Sequence, residues 1–497
     1  MDEEAQREAV AFLSDPKTHG GATVETITTH ASRIFMAGDR VYKLKRAVQY
    51  SYLDFSTPEL RRKSCEEELR LNRRTAPSLY LEVQPITREA TGLALNGKGE
   101  AVDWAVVMLR FPQEALFSRL AESGGLTPNL MRRLADNIAA FHRSAEVTPD
   151  FGGRVGIDQV IDINDNSLRR DGPPHIPVAE AEALTNDARK AANDVSSLLE
   201  RRRIAGKVRR CHGDLHLGNI ALIDGAPTLF DCLEFNPSLA SIDVLYDLAF
   251  LLMDLKHRER ATEAAIVFNR YLDVSEESDG IAALPLFLSL RAWVRAHVAA
   301  TAGDGETARS YFDDARNFLE FQPPRLVAIG GFSGTGKSTV AVILASLIDI
   351  APAARVLRSD VIRKRQHGLA PEERLSTDAY GPEATRRVYD ALEREARATI
   401  ETGCSVIIDA VSARPEERAT FEALAQKLNV PYDGIWLEAP PEILRQRIRA
   451  RKDDASDADL AVLEKQLGYD LGPMDWIRID ASPKPEVVAY SVLTKIS

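Results

Sequence analysis

The run Gly331-Phe332-Ser333-Gly334-Thr335-Gly336-Lys337-Ser338 fits the pattern GxxxxGK[ST]. In such a loop the glycines let backbone amides wrap a polyphosphate, the lysine reaches its terminal phosphates, and the hydroxyl ligates Mg²⁺. Gly331, Ser333, Gly334, Thr335, Gly336, Lys337, Ser338 and the adjoining Thr339 are therefore candidate ATP-binding residues, with Ser338 also a candidate metal ligand. Far upstream stands a second group, His212-Gly213-Asp214-Leu215-His216-Leu217-Gly218-Asn219, followed by Phe230-Asp231. In kinase-type transfer to an alcohol a carboxylate takes the hydroxyl proton, an Asn five residues later binds Mg²⁺, and a second Asp past a hairpin binds the metals. Asp214, Asn219 and Asp231 have that order and spacing.

The P-loop also needs an acceptor site. Asp360 follows the apolar run Arg355 to Leu357, where its carboxylate could take a hydroxyl proton while Arg363, three residues on, holds the substrate or a phosphate. Ser359-Asp360 is equally a helix N-terminal signal. Asp409 ends the run Ser405 to Ile408, a position from which a carboxylate orients a metal's water shell. Arg445, Arg447, Arg449 and Arg451 alternate along one helix and cannot all face a single site. Arg447 and Arg451, four apart, share a face and are the candidates for neutralising transition-state charge.

These residues must be carried by two folded bodies, because 497 residues exceed what one hydrophobic core supports. Gln322-Pro323-Pro324-Arg325 reads as the linker, which gives domains 1–322 and 323–497. Before it, Arg33 to Met36 and Arg40 to Leu44 read as strands joined at Ala37-Gly38-Asp39. A helix is expected from Thr57 to Arg74, a strand from Trp104 to Phe111, a hairpin turning at Asp224-Gly225, and mostly helix from Ile242 to Leu319. After it, strands at 326–329, 355–357, 405–408 and 434–437 alternate with helices, the pattern of a parallel sheet covered on both faces.

The C-terminal half resembles the P-loop kinases related to zeta toxins and polynucleotide 5′-hydroxyl kinases, through the P-loop, Ser359-Asp360-x-x-Arg363, Asp409 and the Arg-rich helix. The resemblance implies that Asp360 is the general base. The N-terminal half resembles aminoglycoside phosphotransferases and the related choline and homoserine kinases more than protein kinases. It has HGDLHLGN where protein kinases have HRDxxxxN, and Asp231-Cys232-Leu233-Glu234 where they have Asp-Phe-Gly. No GxGxxG precedes Lys43, a loop that the aminoglycoside group also lacks in full form.

On that resemblance Lys43 is the lysine contacting phosphates, with Lys45 on the same strand face as the alternative. Glu68 is its ion-pair partner, with Glu67 next, and Met108 to Arg110 would meet adenine. Asp243 and Asp247 would brace the catalytic loop, and His212 would stabilise it. The implied architecture is multi-domain α+β and α/β: a two-lobed protein-kinase-like fold, then a P-loop NTPase domain with a parallel sheet. The order of the two halves looks like bacterial fusions described as bifunctional aminoglycoside phosphotransferase/ATP-binding proteins.

The expectation is an ATP- and Mg²⁺-dependent kinase whose two domains phosphorylate hydroxyls of small molecules. The alternatives are a P-loop domain acting on a nucleic-acid 5′ end or nucleotide sugar, or one domain reduced to nucleotide-binding regulation. A net charge of −11 disfavours broad attraction to nucleic acid or anionic lipid, despite the basic run from Arg201 to Arg210. Four cysteines without metal spacing fit a reducing cytoplasm, and neither a signal peptide nor an uncharged apolar span is read.

Overall fold

The computed structural model describes residues 6–29, 31–50, 53–348, 352–450 and 455–496. The chain forms two compact units, one of Met1–Gln159 with Leu199–Leu251, the other of Val160–Leu198 with Leu252–Ser497. Compactness thus places the helices of 160–198 and 252–320 with the parallel sheet, whereas the linker read from the sequence lies inside the second unit.

In the first unit an antiparallel sheet runs in the order Val24–Thr28, Ser32–Ala37, Arg40–Lys45, Glu100–Leu109, Tyr80–Glu89, Gly92–Leu95. The hairpin 32–45 closes at Gly38, whose φ of 58° is the left-handed conformation a tight turn requires. Register places Lys43 between Ile34 and Val106, in the middle of the sheet. The helix Pro58–Asn72 starts with Pro in its first turn and the Thr57 hydroxyl accepting the Leu60 N–H. Its buried face, Arg61, Ser64, Cys65, Glu68 and Leu71, follows the i, i+3, i+4, i+7 stripe and lies on the sheet. Glu68 is the polar member of that stripe that reaches Lys43 and Lys45. The hairpin Ile220–Ile223 with Ala226–Leu229 turns at Asp224 and Gly225, both with positive φ, as a two-residue type I′ turn demands.

In the second unit five parallel strands are ordered Arg355–Arg358, Val406–Asp409, Leu326–Gly330, Tyr432–Glu438, Ile477–Asp480. Leu326 to Gly330 and Val406 to Asp409 are buried throughout, because helices cover both faces. One face packs Val388, Leu392, Phe421 and Leu424, the other Val340, Leu344, Val488 and Val492. The edge strand 355–358 is closed by the helix Ala261–Val274. Asn269 accepts from the Val356 N–H at 2.7 Å and donates to the Ala354 carbonyl at 3.2 Å, so one side-chain amide replaces a neighbouring strand. Ser278–Thr301 is long and apolar enough to cross a membrane, and 67% of its apolar window is buried within the fold.

Candidate active sites

In the first unit the residues 212–219 meet the hairpin that follows them. Asn219 donates through Nδ2 to the Asp214 carboxylate at 2.8 Å and to the Asp214 carbonyl at 2.9 Å. Asp214 is partly exposed and Asn219 is buried, so the amide fixes a carboxylate that solvent or substrate can reach. His212 accepts the Asp214 N–H at Nδ1 (3.4 Å) and donates from Nε2 to the Phe230 carbonyl (2.9 Å), which ties the loop to the residue before Asp231. Asp247 takes the amides of His212 and Gly213 at 3.0 and 2.8 Å and Nε2 of His142 at 3.1 Å. Asp243 holds the buried Arg202 through two bonds of 2.7 and 2.8 Å. Asp247 therefore holds the start of the loop through two backbone amides, whereas Asp243 bonds Arg202 and the Leu245 amide; His142 and Cys211 lie close to Asp247, and His142 is bonded to it. His216 accepts the Gly218 amide at Nδ1 and lies 3.4 Å from the Asp214 carboxylate.

Asp231 has φ 62°, a left-handed backbone unusual for a side-chain-bearing residue, and its N–H donates to the Tyr80 hydroxyl at 3.2 Å. Its carboxylate sits 2.5 Å from Lys43 Nζ, which also donates to Glu68 Oε1 at 2.9 Å. Lys45 bonds the other Glu68 oxygen and lies 2.5 Å from Glu234. The two lysines therefore share Glu68, while Glu67 pairs with Arg70 on the surface. Burial raises Glu68, but the two ammonium groups outweigh it and hold its carboxyl down to about 2. Met108 is buried within the strand 100–109, opposite Val41 and Tyr80, in the cluster of Cys65, Leu79 and Val106. Arg110 instead pairs with Glu25 at the sheet edge, at 2.8 Å. The Asp231 carboxylate next to Lys43, with the Asp214–Asn219 pair on the preceding loop, offers oxygen donors and an ammonium that suit Mg²⁺ and phosphate.

In the second unit the loop 331–336 connects the central strand to the helix Lys337–Ile348. Gly331, Gly334 and Gly336 have φ of 138°, 88° and 86°. A Cβ on Gly331 would stand 2.5 Å from the Leu437 carbonyl oxygen, and one on Gly334 would stand 2.8 Å from that of Leu444, both rigid backbone. Lys337 Nζ donates to the carbonyls of Gly331 and Phe332 at 2.8 and 3.1 Å, curling over the loop. Ser338 Oγ donates to Asp409 Oδ2 at 2.5 Å, so the hydroxyl and the strand-end carboxylate predicted to share a metal are in contact. Thr335 Oγ1 donates to the Phe332 carbonyl, and Thr339 is exposed on the first helical turn. The Ser333 amide donates to Oε1 of the buried Gln466 at 2.7 Å, a contact without any local sequence signal. The conformation and donors fit a nucleotide polyphosphate with its metal.

Asp360 lies in the first turn of the helix Ser359–Gln366, whose N-cap is Arg358, so it is not the cap itself. Burial pushes its carboxyl up, Arg358 pulls it back, and Asp409 adds to the rise. Arg358, unmarked by the sequence reading, stands 3.4 Å from Asp409. Arg363 is buried, donates to the Ala379 carbonyl at 2.8 Å, and stacks 4.9 Å over the Tyr380 ring. Arg447 is turned to backbone: it donates to the carbonyls of Ala481 and Ser482 at 2.8 and 3.1 Å and reaches the Thr335 carbonyl at 3.4 Å. Its expected partner Arg451 lies outside the described residues.

Comparison with known proteins finds a family model that matches part of each half. The phosphotransferase enzyme family matches residues 37–284, and the AAA domain family matches residues 326–469. An uncharacterized protein of Mycobacterium tuberculosis (strain ATCC 25618 / H37Rv) is 29% identical over 493 residues, 94% of each chain. An adenylyl-sulfate kinase of Myxococcus xanthus (strain DK1622) is 27% identical over 164 residues, 32% of this chain and 78% of that protein. Among solved structures, a choline/ethanolamine kinase family protein from Mesorhizobium loti aligns with 64% of this chain and 95% of its own, at 15% identity and a TM-score of 0.40. The chain is therefore a kinase, with a domain of protein-kinase-like fold that matches the phosphotransferase enzyme family over residues 37–284, followed by a parallel-sheet P-loop domain that matches the AAA domain over residues 326–469.

Proposed function

We propose that each domain transfers the γ-phosphate of ATP to a hydroxyl of a small molecule, the functional division falling at the 322–323 linker. The observation that carries this reading is the same in both: a carboxylate able to accept a proton beside separate side chains able to ligate a metal. Asp214 is bonded to Asn219 near Asp231, and Asp360 feels the field of Asp409, itself bonded to Ser338. When bound, ATP supplies the phosphoryl group and Mg²⁺ neutralises its charge.

Asp214 and Asp360 take the acceptor proton as its oxygen bonds to the γ-phosphorus and the bond to the bridging oxygen breaks, releasing ADP. Asn219 with Asp231, and Ser338 with Asp409, hold metal. Lys43, set by Glu68, and Lys337 offset phosphate charge, while Arg363 orients the second acceptor. Arg447, bonded to carbonyls, steadies the P-loop rather than reaching phosphate. Four buried thiols with no disulfide favour a reducing cytoplasm.

Purified protein given Mg-ATP and a library of hydroxylated metabolites should yield phosphorylated products. Asp214→Asn should suppress one and Asp360→Asn the other, each by about 10²–10⁴-fold. A library that yields no product with the wild-type chain contradicts the reading.

A further inference from the structure

Five charged side chains form one continuous line in the first unit: Asp231, Lys43, Glu68, Lys45 and Glu234. Residues two apart on a strand point to the same side, so Lys43 and Lys45 both face Glu68 and each takes one of its oxygens. Each lysine then has a second carboxylate, Asp231 for Lys43 and Glu234 for Lys45, at 2.5 Å in both cases. Asp231 and Glu234 are the first and last residues of one four-residue stretch.

The two ends of the line differ in access. Side-chain exposure is 39% for Asp231 and 11% for Lys43, but 6% for Glu234 and 2% for Lys45. The Phe55 ring lies 5.4 Å from Lys45 Nζ, and Ser64 Oγ donates to Glu234 at 3.2 Å from one turn before Glu68 on the same helix. At the open end an ammonium can exchange a carboxylate for a phosphate, because water and ligand replace the lost partner. At the sealed end the same exchange would leave a charge buried and unpaired.

We propose that Lys45 and Glu234 are positioning residues, a fixed anchor that holds Glu68 in the nucleotide site while Lys43 exchanges Asp231 for nucleotide phosphate. With Lys43 as its sole cation, Glu68 would lose its place as Lys43 moved. The anchor also ties the far end of the Asp231 stretch to the lysine strand, so metal ligand and phosphate ligand keep one spacing. This inference rests on the reading of the first unit as a nucleotide site.

The test uses the full-length chain carrying Lys337→Ala, so that the first site dominates nucleotide binding. Mg-ATP affinity is measured by equilibrium dialysis, alongside the melting temperature without nucleotide and the ATP KM. Lys45→Met with Glu234→Leu removes both charges together and leaves none unpaired. It should remain folded yet bind Mg-ATP about tenfold more weakly or worse, with KM rising in step. Glu234→Gln, which keeps shape and leaves Lys45 on Glu68, should weaken binding in the same direction and serves if the double variant does not fold. Wild-type affinity in a folded variant, or a lowered melting temperature with affinity intact, overturns the anchor. Absence of binding to the parent chain, with Lys43→Met making no difference, overturns the nucleotide reading and the anchor together.

Discussion

Asp360 is half-buried beside Asp409, and both influences favour its protonated form, so the base role proposed for it conflicts with its comfort in the fold. Its folded pKa is raised, so the stability it contributes is present below its ordinary value near 3.8 and is lost as pH rises through the raised one. At neutral pH the ionised carboxylate should therefore weaken the second unit. Asp360→Asn should abolish P-loop transfer yet raise the melting temperature at neutral pH. A gain of about 1 kcal/mol corresponds to about 2–4 °C. In the wild type, product formation by this domain should have an acid limb displaced above the ordinary aspartate range. Thermal melts of both proteins and a pH–rate profile check the two halves of the statement. A variant that melts lower at neutral pH would assign Asp360 to structure.

At the scale of elements, the P-loop is held by what packs against it. The Leu444 carbonyl, in the helix Pro441–Ala450, leaves no room for a Cβ at Gly334, whose φ of 88° already disfavours one. Gly334→Ala should thus cost more than the usual glycine replacement, at about 1–3 kcal/mol, and should cut nucleotide affinity in the second unit. Urea unfolding and Mg-ATP binding in a Lys43→Met background measure the two effects. The hairpins at Gly38 and Asp224-Gly225 and the P-loop context were legible because their chemistry is local: turn residues, alternation, and a glycine pattern between strand and helix.

The strand Tyr80–Glu89 escaped the sequence reading, since charged residues and Pro85 interrupt its apolar pattern. Strand periodicity placed Lys43 and Lys45 on one face but did not rank them, because their second partners, Asp231 and Glu234, arrive from about 190 residues away. Arg447 and Gln466 show the same limit. Helical spacing predicted a face for Arg447, but its partners come from the segment after the last strand, and nothing near Gln466 points to the Ser333 amide.

At the scale of the molecule, the second compact unit contains helices that precede the linker. Asn269 and Asp273 occupy the sheet edge, where Arg355 bonds Asp273 at 2.6 Å, and both belong to the helix Ala261–Val274. A chain beginning at residue 323 would lose these partners and expose the edge strand. Such a fragment should aggregate or melt well below one beginning at residue 252. Asn269→Ala in the full chain should cost about 1–3 kcal/mol by leaving the Val356 amide unpaired. Equal stability of the two fragments would show that the sheet stands alone. The central claim, two separate phosphotransfer sites in one chain, is tested most directly by mass spectrometry of phosphorylated products from a metabolite extract supplied with Mg-ATP. Wild type, Asp214→Asn and Lys337→Ala are compared. The account predicts two distinct products, each lost in one variant and retained in the other. A single product lost in both variants, or none in the wild type, would contradict it.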